Sequence, residues 1–109
     1  MMNLRVIGFD WDGGNRAKCQ KHGVSIAEIE ALFMGDFHIA PDPKHSEEED
    51  RMIAVGRTSA GRPVFVAFTL RTKNHHRLIR PVTARYMHAK EIAAYEAYEK
   101  EEGSEAENR

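Results

Sequence analysis

The residues best suited to chemistry in this sequence are cations. Residues 51–90 hold nine Lys and Arg (Arg51, Arg57, Arg62, Arg71, Lys73, Arg77, Arg80, Arg85, Lys90) and not one Asp or Glu. Residues 1–50 carry ten acids against five Lys/Arg, and residues 91–109 carry seven against two. The formal net charge of −1 therefore conceals a middle of +9 between two segments of −5 each. A guanidinium offers a planar fork of N–H donors that matches phosphate oxygens. A carboxylate-free stretch of this kind, with His75, His76 and His88 added, suits a polyanion-facing surface. The competing reading is that the arginines alternate with core residues along strands and are answered by the acids of the flanking segments.

The elements that must position these cations follow from periodicity. Leu4 to Phe9 is rich in strand formers and reads as a first strand. Asp12 with Gly13 and Gly14 makes a turn and helix start, and Asn15 to His22 is a short polar helix stopped by Gly23. Ser25 and Glu28 have capping-box spacing and open a second helix, whose Ile26, Ile29, Leu32 and Phe33 recur at helical intervals before Gly35. Asp36 to Ala40 is a short strand blocked by Pro41-Asp42-Pro43, and Lys44 to Asp50 is a charged loop. Arg51–Thr58 and Arg62–Leu70 are strands joined by Ser59-Ala60-Gly61, with Gly61 placed for a left-handed conformation. Thr72 to His76 is a polar turn. Arg77 to Thr83 is the next strand, where Pro81 argues for an edge position or a bulge. A final helix runs from about Tyr86 to Glu101, with Met87, Ile92, Tyr95 and Tyr98 on one side. The predicted order is β-α-α-β-β-β-β-α, an α+β fold with a compact antiparallel sheet, two N-terminal helices and one C-terminal helix. Residues 1–102 form a single domain, and residues 103–109 are an acidic tail expected to be disordered.

Composition removes several classes of function. The 109 residues suffice for one domain, and 41% apolar with 30% charged residues is ordinary globular composition. Cys19 stands alone, which excludes an intrachain disulfide, and is expected to be partly buried on a helix. The apolar stretch near the N-terminus is too short for a signal h-region or a membrane span, so the expectation is a soluble cytoplasmic protein away from membranes. His75 and His76 are adjacent, and no His-x₃-His or Cys-x₂-Cys spacing occurs, so neither a metal site nor another cofactor is expected. Gly13-Gly14 is a turn signal rather than a phosphate-cradling loop, and the basic stretch lacks the aromatics of an RNA-recognition motif.

Four segments in one order resemble the BrnT family of ribonuclease toxins from type II toxin–antitoxin pairs. They are Phe9-Asp10-Trp11-Asp12; Lys21-His22-Gly23-Val24-Ser25; Asp42-Pro43-Lys44-His45-Ser46 with Glu49, Arg51 and Gly56; and Phe68-Thr69 with Arg71, Ile79-Arg80, Ala84-Arg85, Glu91 and Tyr95. Within that pattern Asn15 stands where the family has Lys, Lys18 where it usually has Asn, and Pro81 interrupts the arginine-bearing strand. The resemblance implies a RelE-like fold and an RNA substrate, messenger RNA in particular, free or on ribosomes, whose cleavage inhibits translation. It also implies a cognate antitoxin of ribbon-helix-helix type, with operator DNA bound only through that antitoxin.

Metal-independent RNA cleavage deprotonates a 2′-hydroxyl, stabilises a dianionic phosphorane and protonates the 5′-oxygen. Lys21, Arg51, Arg71, Arg80 and Arg85 are suitable cationic donors. His22 is a candidate base or acid; its competing reading is a cap on the last carbonyls of its helix. His45 reads as a loop residue. Trp11 could stack on a base or pack the end of the first strand; Thr69 could position a phosphate or simply sit in its strand. Glu91 suits the positive end of the last helix and could pair with Arg85. The catalytic candidates are thus Lys21, His22, Arg51, Arg80 and Arg85, with Trp11, Thr69 and Arg71 binding RNA. A rival from another class is a non-catalytic RelE-like protein that only binds an antitoxin or co-repressor, favoured by the lack of an unambiguous base–acid pair.

Overall fold

The computed structural model describes residues 6–41 and 50–107. Helix α1 (Gly13–Gln20) and helix α2 (Ile26–Met34) precede four strands, β1 (Phe37–Pro41), β2 (Met52–Arg57), β3 (Pro63–Lys73) and β4 (His76–Tyr86), and helix α3 (Ala89–Glu107) follows. The strands lie in the order β1-β2-β3-β4, each antiparallel to its neighbour. The expected α+β fold with two N-terminal helices, an antiparallel sheet and a C-terminal helix is the one found.

Both N-terminal helices begin where the capping chemistry dictates. Ser25 and Glu28 exchange side-chain and backbone hydrogen bonds at α2, as their spacing predicts, and Asp12 and Asn15 form a second such box at α1. Gly23 (φ +93°) ends the first helical segment, and Gly61 (φ +82°) closes the β2–β3 hairpin in the left-handed region. Ile29, Leu32 and Phe33 of α2 are buried with Cys19 and Val24 against Ala54, Val64, Val66, Phe68, Ile79 and Ala84 of the sheet. Cys19 is fully rather than partly buried, and burial pushes its thiol up to about 11, so it serves as a core residue.

Two expectations need revision. The stretch read as a first strand, Leu4–Phe9, forms no named strand among the described residues, and Leu4 and Arg5 lie outside them. Instead Ile7 to Asp10 runs parallel along the outer edge of β4: Ile7 N donates to Arg77 O, Ile79 N to Gly8 O and Asp10 N to Ile79 O. Two acids and a helix start follow at once, so pairing stops after one bridge. The last helix also runs on to Glu107, past its expected end at Glu101. Gly103 costs a helix interior only about 1 kcal/mol relative to Ala, too little to stop it by itself. The segment 42–49, with its Asp42–Ser46 motif and charged loop, lies outside the described residues.

Strand β4 departs from regular geometry at one place. Thr83 pairs with Ala67 and Pro81 pairs with Phe68, which leaves Val82 without a partner as a bulge. The bulge anticipated from Pro81 is therefore present, and its consequence is a change of face. Ile79 and Ala84, five residues apart, both enter the core, and Arg80 and Arg85 both point to the opposite face. A regular strand would separate each pair. Pro81 has no N–H to leave unpaired, and its carbonyl accepts from Asn15 Nδ2 at 2.8 Å. The same amide nitrogen donates to Asp10 O at 2.9 Å, while Asn15 Oδ1 accepts from Asp12 N at 2.7 Å. Asn15, only 4% exposed, thus continues the edge ladder with a side chain and ties α1 to the bulge. Asn15→Ala leaves the Pro81 and Asp10 carbonyls without these donors. It is expected to lower unfolding stability by about 2–4 kcal/mol in urea denaturation; a loss below about 0.5 kcal/mol would show that the brace is dispensable.

Candidate active site

Helix α1 stands beside the β4 edge, and the face of the sheet away from α2 carries several of the cations. Along β3 it presents Phe65, Ala67, Thr69, Arg71 and Lys73, and along β4, through the bulge, Arg80 and Arg85. Thr69 pairs directly with Arg80. On its other side Met52 pairs with Phe68, so Arg51, one residue earlier, stands in line with Thr69. Arg51, just before β2, Thr69 on β3 and Arg80 on β4 form a row across the sheet. Within it Thr69 is only 4% exposed, and both its Oγ1 and the Nε of Arg51 are buried with no hydrogen-bond partner. A buried unpaired polar atom costs about 1–3 kcal/mol, so these two groups keep hydrogen-bonding capacity that no contact of theirs uses.

A cleft of about 270 Å³ opens beside this row, lined by Gly14, Asn15, Lys18, Arg71, Arg80 and Val82. Asn15 and Lys18 reach it from successive turns of α1, and Val82 is the bulged residue. Arg80 is held from one side. Its Nη2 donates to Asp12 at 2.8 Å and its Nη1 lies 3.4 Å from Asp10, which also accepts from Lys73 Nζ at 2.9 Å. The Asn15 backbone N–H and then Arg80 hold the Asp12 carboxyl below its usual range, while Asp12 raises Arg80 further above its own. Both members of that pair therefore stay ionised at neutral pH. The guanidinium is fixed in orientation and keeps N–H groups for a second acceptor.

Four of the eight site residues expected from sequence, Arg51, Thr69, Arg71 and Arg80, come together here. The other four stand elsewhere. Arg85 shares the face but lies four residues farther along, opposite Phe65, about 13 Å at strand rise. It donates through both Nη atoms to Glu91 at 2.8 Å and covers the Phe65 ring, 4.8 Å from its centroid. Lys21 and His22 sit exposed at the C-terminal end of α1, remote from the Asn15 end. There Gly23 N, rather than the imidazole, closes on Gln20 O. Trp11 packs beside the core, donates its indole N–H to Glu30 at 2.9 Å and has Arg16 over its ring. Sequence reasoning passed over Lys18 and Asn15 as functional residues, and Asp10 and Asp12 as the acids that set Arg80. The available signals were the three-residue spacing of Asn15 and Lys18 on a helix, and two acids just before it with a basic strand to come.

Residues 11–91 match the family described as "Ribonuclease toxin, BrnT, of type II toxin-antitoxin system". The chain belongs to the BrnT family. That membership brings a type II toxin–antitoxin ribonuclease toxin, with RNA as substrate and an antitoxin as partner. No curated protein matches the chain. Among the described residues no helix is long and apolar enough to cross a membrane.

The α3 end of this BrnT chain is held to the same face by charge. Besides Arg85–Glu91, Arg57 donates to Glu99 through Nε at 3.1 Å and Nη2 at 2.7 Å, and lies 3.7 Å from Glu96. His38 Nε2 lies 3.4 Å from Glu102. The Arg85 fork, and then the His88 backbone N–H, hold the Glu91 carboxyl down at about 2. Because its folded pKa lies below the unfolded value of 4.5, the stabilisation is complete above that value and fades as pH falls toward about 2. The difference in Tm between wild type and Glu91→Gln is therefore expected at pH 6 and should shrink as the pH is taken from 4.5 toward 2. A difference that stays constant over that range would mean that the carboxylate charge contributes nothing.

Proposed function

We propose that the row Arg51–Thr69–Arg80, with Arg71 and Lys18 at the adjoining cleft, is the site at which this BrnT toxin cleaves RNA without a metal. The observation that carries this reading is the pair of buried, unpartnered polar atoms on Arg51 and Thr69 inside a cationic row. Once the row opens to substrate, a non-bridging phosphate oxygen would accept hydrogen bonds from the Arg51 Nε–H and the Thr69 hydroxyl, both buried in the free protein, and Arg71 and the open side of Arg80 would face the others. The 2′-oxygen attacks phosphorus, the P–O5′ bond breaks, and negative charge peaks on the phosphorane between them. Fixed cations that meet this charge stabilise the transition state more than the ground state. The contribution of the row itself is electrostatic, and water takes the 2′-hydroxyl proton and returns one to O5′. Arg85 is assigned to holding α3 through Glu91, and Trp11 to packing between the helices.

The same reading extends to the cell. Messenger RNA is the substrate, its cleavage inhibits translation, and the fold is of RelE-like type. A ribbon-helix-helix antitoxin neutralises the toxin in the cytoplasm and carries the pair onto operator DNA. One observation favours a second reading, a protein that only binds its antitoxin: both Nη atoms of Arg80 already face acids.

Purified protein and a labelled RNA separate the two. Arg71→Ala and Arg80→Ala are each expected to lower the cleavage rate by about 10²–10³-fold with near-native circular dichroism, and to relieve growth arrest in a bacterial host. Arg85→Ala should keep most of the cleavage and lose stability. Full activity in both Arg71→Ala and Arg80→Ala would remove the site, and an inactive wild type that still binds its antitoxin would establish the binding-only reading.

A further inference from the structure

Strands β3 and β4 are eleven residues each, whereas β2 has six and reaches along β3 only as far as Phe68. The outer part of the β3–β4 hairpin, Thr69 to Ile79, therefore projects past β1 and β2. Its tip carries Arg71, Lys73, His75, His76 and Arg77, and every residue from 71 to 77 is exposed. Lys73 pairs with Asp10, but among the described residues no carboxylate pairs with His75, His76 or Arg77. The two-residue turn places Asn74 (φ 51°) and His75 (φ 67°) in the left-handed region, the requirement of a type I′ hairpin. Glycine takes that second position freely, while a side chain such as His75 costs about 1 kcal/mol there. The tip is thus narrow and cationic, and it lies four residues beyond Thr69, about 13 Å along the strand.

We infer that this hairpin tip is a second RNA contact, which grips the phosphate backbone away from the cleaved bond and makes the toxin prefer longer RNA. The inference rests on the ribonuclease reading above for the direction in which RNA leaves the site. Exposed cations at fixed spacing suit a sugar–phosphate backbone, which is bound through counterion release and without base readout. On β4, His76 shares the face of Arg71 and Lys73, and Arg77 stands on the other face of the narrow hairpin, with Ile79. Both lie outside the catalytic row, so they can be changed without touching Thr69, Arg71 or Arg80.

The test uses the full chain, the double variant His76→Gln/Arg77→Gln and the charge reversal Arg77→Glu. The probes are two 2′-O-methyl oligoribonucleotides that resist cleavage, one just spanning the scissile position and one several nucleotides longer, with binding read by fluorescence anisotropy across a salt series. Wild type should bind the long probe more tightly. In the variants that advantage should fall several-fold, and the salt slope should drop by about 0.7 for each lost phosphate contact. Affinity for the short probe, cleavage of a short unmodified RNA and Tm should stay at wild-type values. Equal affinity and slope for the long probe in all three proteins would overturn the inference. So would unchanged RNA binding with weakened antitoxin binding, which would give the hairpin to the antitoxin. If wild type binds the long probe through the tip but cleaves no RNA, the ribonuclease reading fails and the hairpin contact stands.

Discussion

A β-strand sends alternate side chains to opposite faces, so residues five apart belong on opposite sides of a regular sheet. In this protein Ile79 and Ala84 must both enter the core, and Arg80 and Arg85 must both leave it. One unpaired residue, Val82, reconciles these demands, and its cost is met by local chemistry. Pro81 needs no acceptor for an N–H, and its carbonyl takes one from Asn15. Without the bulge either Ile79 would face solvent or the β3–β4 register would slip, and Arg80 would turn inward among Val66, Phe68 and the helices. The position of α1 follows from the same contact, because Asn15 is also the third residue of that helix and half of its capping box.

The distribution of charge along the chain turns out to serve two purposes. Among the described residues, acids from the flanking segments answer Arg57 (Glu96 and Glu99), Lys73 (Asp10), Arg80 (Asp10 and Asp12) and Arg85 (Glu91). The reading in which flanking acids balance the strands is therefore correct for these four. At Arg57 and Arg85 the pairs hold α3 over the sheet beside an apolar groove of about 300 Å³ lined by Val55, Phe65, Met87, Ala94 and Tyr95. Exposed pairs of this kind contribute little each, typically under about 1 kcal/mol, so α3 relies on several together. At Arg80 the acids have a different effect, since they orient a guanidinium beside a hydroxyl and an Arg51 Nε that have no partner of their own.

Much of this was legible in the sequence because it depends on short-range chemistry. The Ser25–Glu28 box, the Gly23 stop, the left-handed Gly61 and the apolar spacing of Ile29, Leu32 and Phe33 are local signals, and each appears where expected. Pro81 announced an irregularity. What the sequence could not reveal was its size: one inserted residue rather than a strand end, and hence a shared face for Arg80 and Arg85. Lys18 and Asn15 were hidden for the same reason, because they join Arg71 and Arg80 only after a 66-residue contact from Asn15 to Pro81 has formed. Lys21, His22 and Arg85 carry suitable side chains, but helix length and register set them apart from the row. The N-terminal segment, read as a strand from its residue types, makes strand-like hydrogen bonds to β4 but only the single bridge Phe9–Ile79 among the described residues.

The central claim is that RNA phosphate settles on Arg51, Thr69, Arg71 and Arg80 and not on the arginines already committed to α3. The most direct measurement is a titration of isotope-labelled protein with a cleavage-resistant 2′-O-methyl dinucleotide, followed by NMR of the arginine Nε–H and backbone amide signals. The account predicts shifts at Arg51, Thr69, Arg71 and Arg80, with Arg57 and Arg85 unmoved. Shifts centred on Arg57, Arg85 and α3, with Thr69 silent, would contradict it.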